Sequence, residues 1–290
     1  MNVLKMLLYW FFISTAVFNI KVAKANVANN STSAVQTVNQ GVEFIITQGS
    51  SFDLKAVRKI SGEIAHAAQG NTQALAQLIS LFKQNIKNVK VTNRLLVILA
   101  SIKQAEVERV GQALAQSASY NEKLLGLELL SNLQLSSAET FTLSAGIVCN
   151  SKDIALITEA MAVLANIDYS LKNSQKISRC LGSASQHQDD AIRSNSLFLI
   201  ARYAQNTTEL RPVITALTSP DPDDRISAIM ALQQSKVVGS ELKSILLATM
   251  SDKQFSWDVR SIVADALARF DLTQTEQLQL SAFKQSQQNN

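Results

Sequence analysis

Two cysteines and two histidines, with the carboxylates near them, are the side chains whose types first suggest nucleophilic, redox or metal chemistry in these 290 residues. Cys149 and Cys180 lie 31 positions apart. A disulfide needs Cα atoms within about 7 Å, whereas neighbouring helix axes pack about 8–10 Å apart. A bridge between equivalent helix ends therefore requires local convergence, and two separate buried thiols remain the other reading. His66 shares a helix face with Glu63, and His187 precedes Asp189 and Asp190. A zinc site takes three or four ligands, and neither histidine has that company. A Cys149–His187 nucleophile and base pair would need the two side chains in contact, which no spacing dictates. Glycine-rich phosphate loops and GxSxG elbows are absent. The expectation is no catalytic residue, no metal and no cofactor.

Whatever these residues do depends on the elements that hold them, and those follow one recurring pattern. It occurs five times, anchored at Lys123, Ile157, Arg193, Arg225 and Arg260. The third residue after each anchor is mostly small (Gly126, Ala160, Ser196, Ala228, Val263). The fourth is apolar (Leu127, Met161, Leu197, Ile229, Ala264), and the seventh is aliphatic (Leu130, Leu164, Ile200, Leu232, Leu267). Positions 3, 4 and 7 share one face of a helix. The anchors are 34, 36, 32 and 35 residues apart, the span of two helices and their turns, so the recurrence predicts a stacked helical array.

Second helices announce their starts by capping chemistry. Ser136 with Glu139 and Thr273 with Glu276 fit capping boxes, and Asn206 with Glu209 is a looser version. Pro222 after Asp221 suits the first helical position, with Asp223 and Asp224 where the helix dipole favours negative charge. Upstream, Asp53 can cap a helix whose apolar face is Leu54, Val57, Ile60, Ile64 and Ala67, and helices follow through Leu75–Phe82, Leu95–Ile102 and Val107–Leu114. Val35, Val38, Val42, Ile45 and Ile46 predict a short helix capping the stack, after a mobile lead-in from Asn26 to Thr37; a strand over 42–46 is the alternative.

Residues 1–25 have the layout of a secretory signal peptide: Lys5, an apolar run from Met6 to Phe18, and Ala23-Lys24-Ala25 as a cleavage site. The run is shorter than the roughly 20 residues that span a bilayer, so cleavage after Ala25 is expected, with no stable membrane insertion and a periplasmic or secreted location. The segment holds three lysines and no acid, which leaves 24 basic and 23 acidic residues in the remaining 265. Such balance, without basic runs, argues against nucleic-acid binding, which needs clustered Lys or Arg to release counterions.

Asp221-Pro222-Asp223-Asp224-Arg225, followed by Ala228 and Ala231-Leu232, resembles a HEAT-type repeat, in particular the short HEAT-like variety of phycobilin lyases. Asp258-Val259-Arg260, with Ala264 and Ala266-Leu267, is similar. The resemblance is strongest over 180–285 and implies structural roles for Asp224, Arg225, Asp258 and Arg260 in linking neighbouring units, beside Arg193 as a repeat anchor. It implies an all-α, right-handed α-solenoid that presents surfaces to other macromolecules, and no reaction. The organisation expected is 1–25 signal peptide, 26–50 lead-in and capping helix, 51–119 divergent repeats, 120–285 HEAT-like repeats and 286–290 disordered tail.

The function this suggests is a non-catalytic scaffold or adaptor for another protein, with contacts on the second helices: Lys176, Arg179, Glu209, Arg211, Glu241 and Lys243. Trp257, in the turn before the last anchor, either joins that surface or seals the turn. The alternatives are an envelope-associated enzyme or enzyme inhibitor, and a peptidoglycan- or glycan-binding protein. A lytic enzyme would need a lysozyme-like domain, and the 20 residues after Phe270 leave no room for one.

Overall fold

The computed structural model describes residues 31–47, 54–135, 137–167 and 174–288. The proposed signal peptide, the Asp53 cap, Ser136, and the side chains of Lys176 and Asp258 lie outside what is described. Among the described residues every regular element is an α-helix, and there are fifteen. The chain divides into two compact units, the first reaching Leu114 and including 132–135, the second taking 115–131 and the residues from Ser136 on.

In the first unit, α1 (31–47), α2 (Leu54–Gln69), α3 (Thr72–Gln84), α4 (Val89–Ile102) and α5 (Ala105–Ala115) follow one another. Its core is apolar, with Val38, Ile64, Leu78, Phe82, Leu95, Leu99 and Val107 fully buried. α1 lies so close on α2 that a Cβ on Gly41 would meet the Ile64 side chain at 2.6 Å. Glycine there allows the approach. Arg94 donates to the Ile45 carbonyl (3.3 Å) and Gln77 to Asn39 (2.8 Å), fixing α1 against α3 and α4. The lead-in expected through Thr37 is therefore helical from residue 31, because Val38, Val42 and Ile45 give the segment a buried face. The strand alternative over 42–46 fails for the same reason.

The second unit stacks five hairpins: α6 (Tyr120–Leu133) with α7 (Ala138–Asn150), α8 (Ile154–Asn166) with α9 (Ser174–Ala184), α10 (Asp190–Tyr203) with α11 (Arg211–Ala216), α12 (Pro222–Gln234) with α13 (Ser240–Ser251), and α14 (Trp257–Leu267) with α15 (Gln274–Gln288). α10 packs on both α8 and α12, and α12 also packs on α14. All fifteen pattern residues at positions 3, 4 and 7 are buried, and so are Leu129, Val163, Leu199, Ala231 and Ala266 at position 6. A first helix flanked on both sides needs that wider apolar arc. Second helices bury narrower i, i+4 stripes, such as Ile177 with Leu181 and Leu242 with Leu246 and Met250.

Three expectations change at the helix ends. Ser137, not Ser136, caps α7 by accepting from the Thr140 N–H (3.1 Å), one position later than the capping box predicted, so Glu139 falls out of register for a box. Asn206 and Glu209 do bond (3.0 Å), but they close a turn, and α11 begins only at Arg211. Pro212 has no N–H to continue a helix from 206 and is at home in a first turn. Finally, α15 continues to Gln288, past the tail expected from residue 286. Asp221 caps α12 with Pro222 in the first turn.

The anchors tie the stack through polar bonds. Arg193 reaches forward to Asp224 (2.9 Å) and Asp221 (3.2 Å) of the next hairpin while bonding the His187 and Gln188 carbonyls of its own approach loop (3.1 Å each). Arg225 repeats the loop half of this, donating to the Ser219 and Pro220 carbonyls, but faces the Phe255 ring at 5.8 Å instead of acids. Arg193→Leu should destabilise the chain by about 2–3 kcal/mol in urea titration, since it removes several charge-assisted bonds. Combined with Asp224→Asn, the losses should be non-additive by roughly 0.5–2 kcal/mol; strict additivity would deny the contact.

Candidate functional site

Cys149 near the end of α7 and Cys180 in α9 are joined by a disulfide, with Cα atoms 5.1 Å apart. The helix ends converge here, so the reading of two separate buried thiols does not hold. Both residues are partly exposed and border an open cleft of about 450 Å³. Its walls carry Lys152, Arg179 and His187, with Ser151 and Ser183, over an apolar floor of Val148, Ile157, Ala184 and Ile192. His187 thus does share a cleft with Cys149, but the sulfur is committed to the bridge and offers no thiolate for nucleophilic attack. His187 accepts the Asp189 N–H on Nδ1 (3.0 Å), which leaves Nε2 to carry the ring proton.

His66 is exposed on α2, and Glu63 beside it pairs with Lys59 (3.9 Å). Among the described residues no group of three or more His, Cys, Asp or Glu is placed to hold a metal ion. Also among them, no helix is long and apolar enough to cross a membrane.

The candidate partner-binding residues separate into three kinds. Arg179 on α9, Arg211 at the start of α11 and Glu241 in the first turn of α13 are exposed on successive second helices. Lys243 and Glu209 are engaged internally. Lys243 donates to Glu276 (2.9 Å) and to the Asp271 carbonyl (3.1 Å), with its side chain only 17% exposed, so it is a strut between α13 and α15 and not a contact residue. Its aliphatic stem and a carboxylate one hairpin away explain the burial. Glu209 accepts from the Gln205 N–H (2.9 Å) and the Asn206 amide (3.3 Å), closing the turn before α11. Trp257 stacks on Phe283 (centroids 4.6 Å, 18° between planes) with the Arg260 guanidinium 5.3 Å from its ring. It seals the last hairpin.

Thr273 and Glu276 form a reciprocal box, the Thr273 N–H donating to the carboxylate at 2.7 Å. Together with Lys243, first in importance, this holds the Glu276 carboxyl below its ordinary pKa. The features that sequence reasoning missed are Lys152 and the cleft itself. A signal was present: Arg179 immediately precedes one cysteine and Lys152 follows the other by three.

No family model and no curated protein matches the chain. Similar solved structures include the E. coli protein YIBA_ECOLI, 16% identical, with a TM-score of 0.47, covering 65% of this chain and 73% of that one. A designed armadillo repeat protein in complex with the peptide (KR)4 is 13% identical, TM-score 0.39, covering 82% and 99%. Human deoxyhypusine hydroxylase in complex with glycerol is 12% identical, TM-score 0.35, covering 82% and 97%. The fold is a helical-repeat stack. Its own buried pattern positions and inter-hairpin bonds establish that.

Two measurements follow from these bonds. The Cys149→Ser/Cys180→Ser double variant should lose about 3–4 kcal/mol in the chain-entropy account of a loop this long, a Tm drop on the order of 10 °C, with helicity retained at 20 °C. A Tm unchanged between oxidised and reduced protein would remove the bridge from the stability of the stack. For Glu276, a depressed folded pKa stabilises above the unfolded value of about 4.3 and loses that stabilisation as pH falls through the folded one. Glu276→Gln should therefore melt below wild type at pH 7, and the two melting curves should converge as the pH drops below 4; parallel curves throughout would exclude the linkage.

Proposed function

We propose that this chain is an exported, non-catalytic scaffold that holds another protein against the second helices of its second unit. The observation that carries the reading is the division of labour between helix rows. First helices are consumed by stacking, whereas Arg179, Arg211 and Glu241 leave charged side chains in solvent on consecutive second helices. A framework cross-linked at each step holds such side chains at fixed spacing, which lowers the ordering cost of binding. Mixed sign favours a protein surface over a polyanion.

Export is supported by the layout of residues 1–25 and by the disulfide, since such bridges persist in oxidising compartments and are rare in the cytosol. A glycan-binding reading would want exposed aromatic platforms, and Trp257, its best candidate, is already stacked against Phe283. The designed armadillo neighbour binding the peptide (KR)4 shows what another helical-repeat chain holds; the partner of this one is read from its own residues.

Affinity capture from the native envelope with the tagged chain, followed by mass spectrometry, tests the scaffold. Arg211→Glu with Glu241→Lys should deplete the captured partner at least fivefold while leaving the Tm within about 2 °C, as surface substitutions do; undiminished capture would reject this face. N-terminal sequencing of the chain recovered by osmotic shock should begin at Asn26. Recovery only with the cytosol, or with Met1 retained, would reject cleavage and export.

A further inference from the structure

We infer that the cleft beside the Cys149–Cys180 bridge is a docking pocket for an acidic peptide segment of the partner protein, a proposal that rests on the scaffold reading above. The chemistry of its walls favours that occupant. Lys152 and Arg179 are exposed at its rim and His187 borders it, while no carboxylate lines it. Lys152 and Arg179 form no side-chain ion pair among the described residues. Nearby acids are occupied: Asp153 and Asp189 cap helices, and Asp190 pairs with Arg193 at 2.9 Å.

Comparison along the stack shows why this hollow is open. The anchor position is Ile157 here and Arg225 two hairpins further on. At the later site the guanidinium folds back on the Ser219 and Pro220 carbonyls, and the corresponding hollow, about 280 Å³, contains Arg225 together with Asp252. There a carboxylate lines the hollow beside the cation, Asp252 accepting the Gln254 N–H at 2.9 Å. With Ile157 the anchor position adds no guanidinium, the hollow is larger, and Lys152 and Arg179 are exposed around it with no carboxylate among the lining residues. The apolar floor completes a site for alternating acidic and apolar residues. A nucleic-acid backbone would find two cations where a stable phosphate track needs several.

The bridge has a place in this arrangement. Cys149 carries the wall that continues to Lys152, and Cys180 follows Arg179, so the covalent link ties together the two backbone segments that bear the cations. Pre-set spacing of that kind strengthens binding without a new contact.

The test is fluorescence anisotropy with the oxidised full mature chain and fluorescein-labelled octapeptides of alternating Glu and Leu, Gln and Leu, and Lys and Leu, with a thymidine dodecamer as a further probe. The Glu-Leu peptide should bind at least tenfold more tightly than the others, and more weakly as salt rises. Lys152→Glu and Arg179→Glu should each weaken it at least tenfold, whereas Arg211→Glu should not. Cys149→Ser/Cys180→Ser, confirmed helical, should weaken it several-fold. No binding of the acidic peptide at 1 mM ligand (about 4 kcal/mol on the affinity scale), equal binding of the Gln-Leu peptide, preference for the dodecamer, or indifference to both charge reversals would each overturn the proposal. Should envelope capture fail on Arg211→Glu/Glu241→Lys but survive Lys152→Glu/Arg179→Glu, the scaffold stands and this pocket falls.

Discussion

No hairpin in the second unit can bury its own apolar surface, and the rest of the structure depends on that constraint. A first helix such as α10 carries buried residues at positions 3, 4, 6 and 7 after its anchor, an arc wider than one partner can cover. The small residue at position 3, Ser196 or Ala228, lets the adjacent hairpin approach closely, and Ser196 satisfies its hydroxyl on the Ile192 carbonyl (2.6 Å) within its own helix. Stability of this kind is a sum of neighbour interfaces, so each interface must be specified.

Specification comes from polar bonds that repeat with the hairpins. Asn166 donates to the Ser131 carbonyl, Arg202 to Ile167 and Arg269 to Ser235, each about one repeat back along the chain. In the first unit Gln104 does the same to Gln69 over 35 residues. These donors stand near the ends of first helices, where C-terminal carbonyls of the preceding hairpin lack helical partners. A slip by one residue would misplace every one of them. The apolar layers supply most of the energy, and the bonds decide the register.

The hairpins and their inward faces were legible because a period near 34 residues combined with a 3–4–7 apolar spacing has few other physical explanations. Helix starts marked by Asp221 and Thr273 were legible too, since capping is local chemistry. What failed was context. Ser136 and Ser137 are equally good caps in isolation, and Ser137 takes the role. Lys243 looked like a free surface charge because its partners lie 28 and 33 residues away. The cleft was hidden for the same reason: Lys152, Arg179 and His187 belong to three different segments, and no window along the sequence contains them together.

The pattern residues also explain where the bridge is found. From α10 onward the anchor is an arginine, and its guanidinium is held by Asp221 and Asp224 for Arg193, by the Phe255 ring for Arg225, and by the Trp257 and Phe283 rings of its own hairpin for Arg260. Earlier in the unit the anchors are Lys123 and Ile157. There the step from α6 and α7 to α8 and α9 has the Tyr120–Asp153 bond, long at 3.3 Å and half-exposed, on one row. On the other row it has Cys149–Cys180. A covalent tie thus joins the second helices at a step where no arginine anchor is present. Ile157 adds no charge to the cleft that the two cysteines border, so the cations there are those of Lys152 and Arg179.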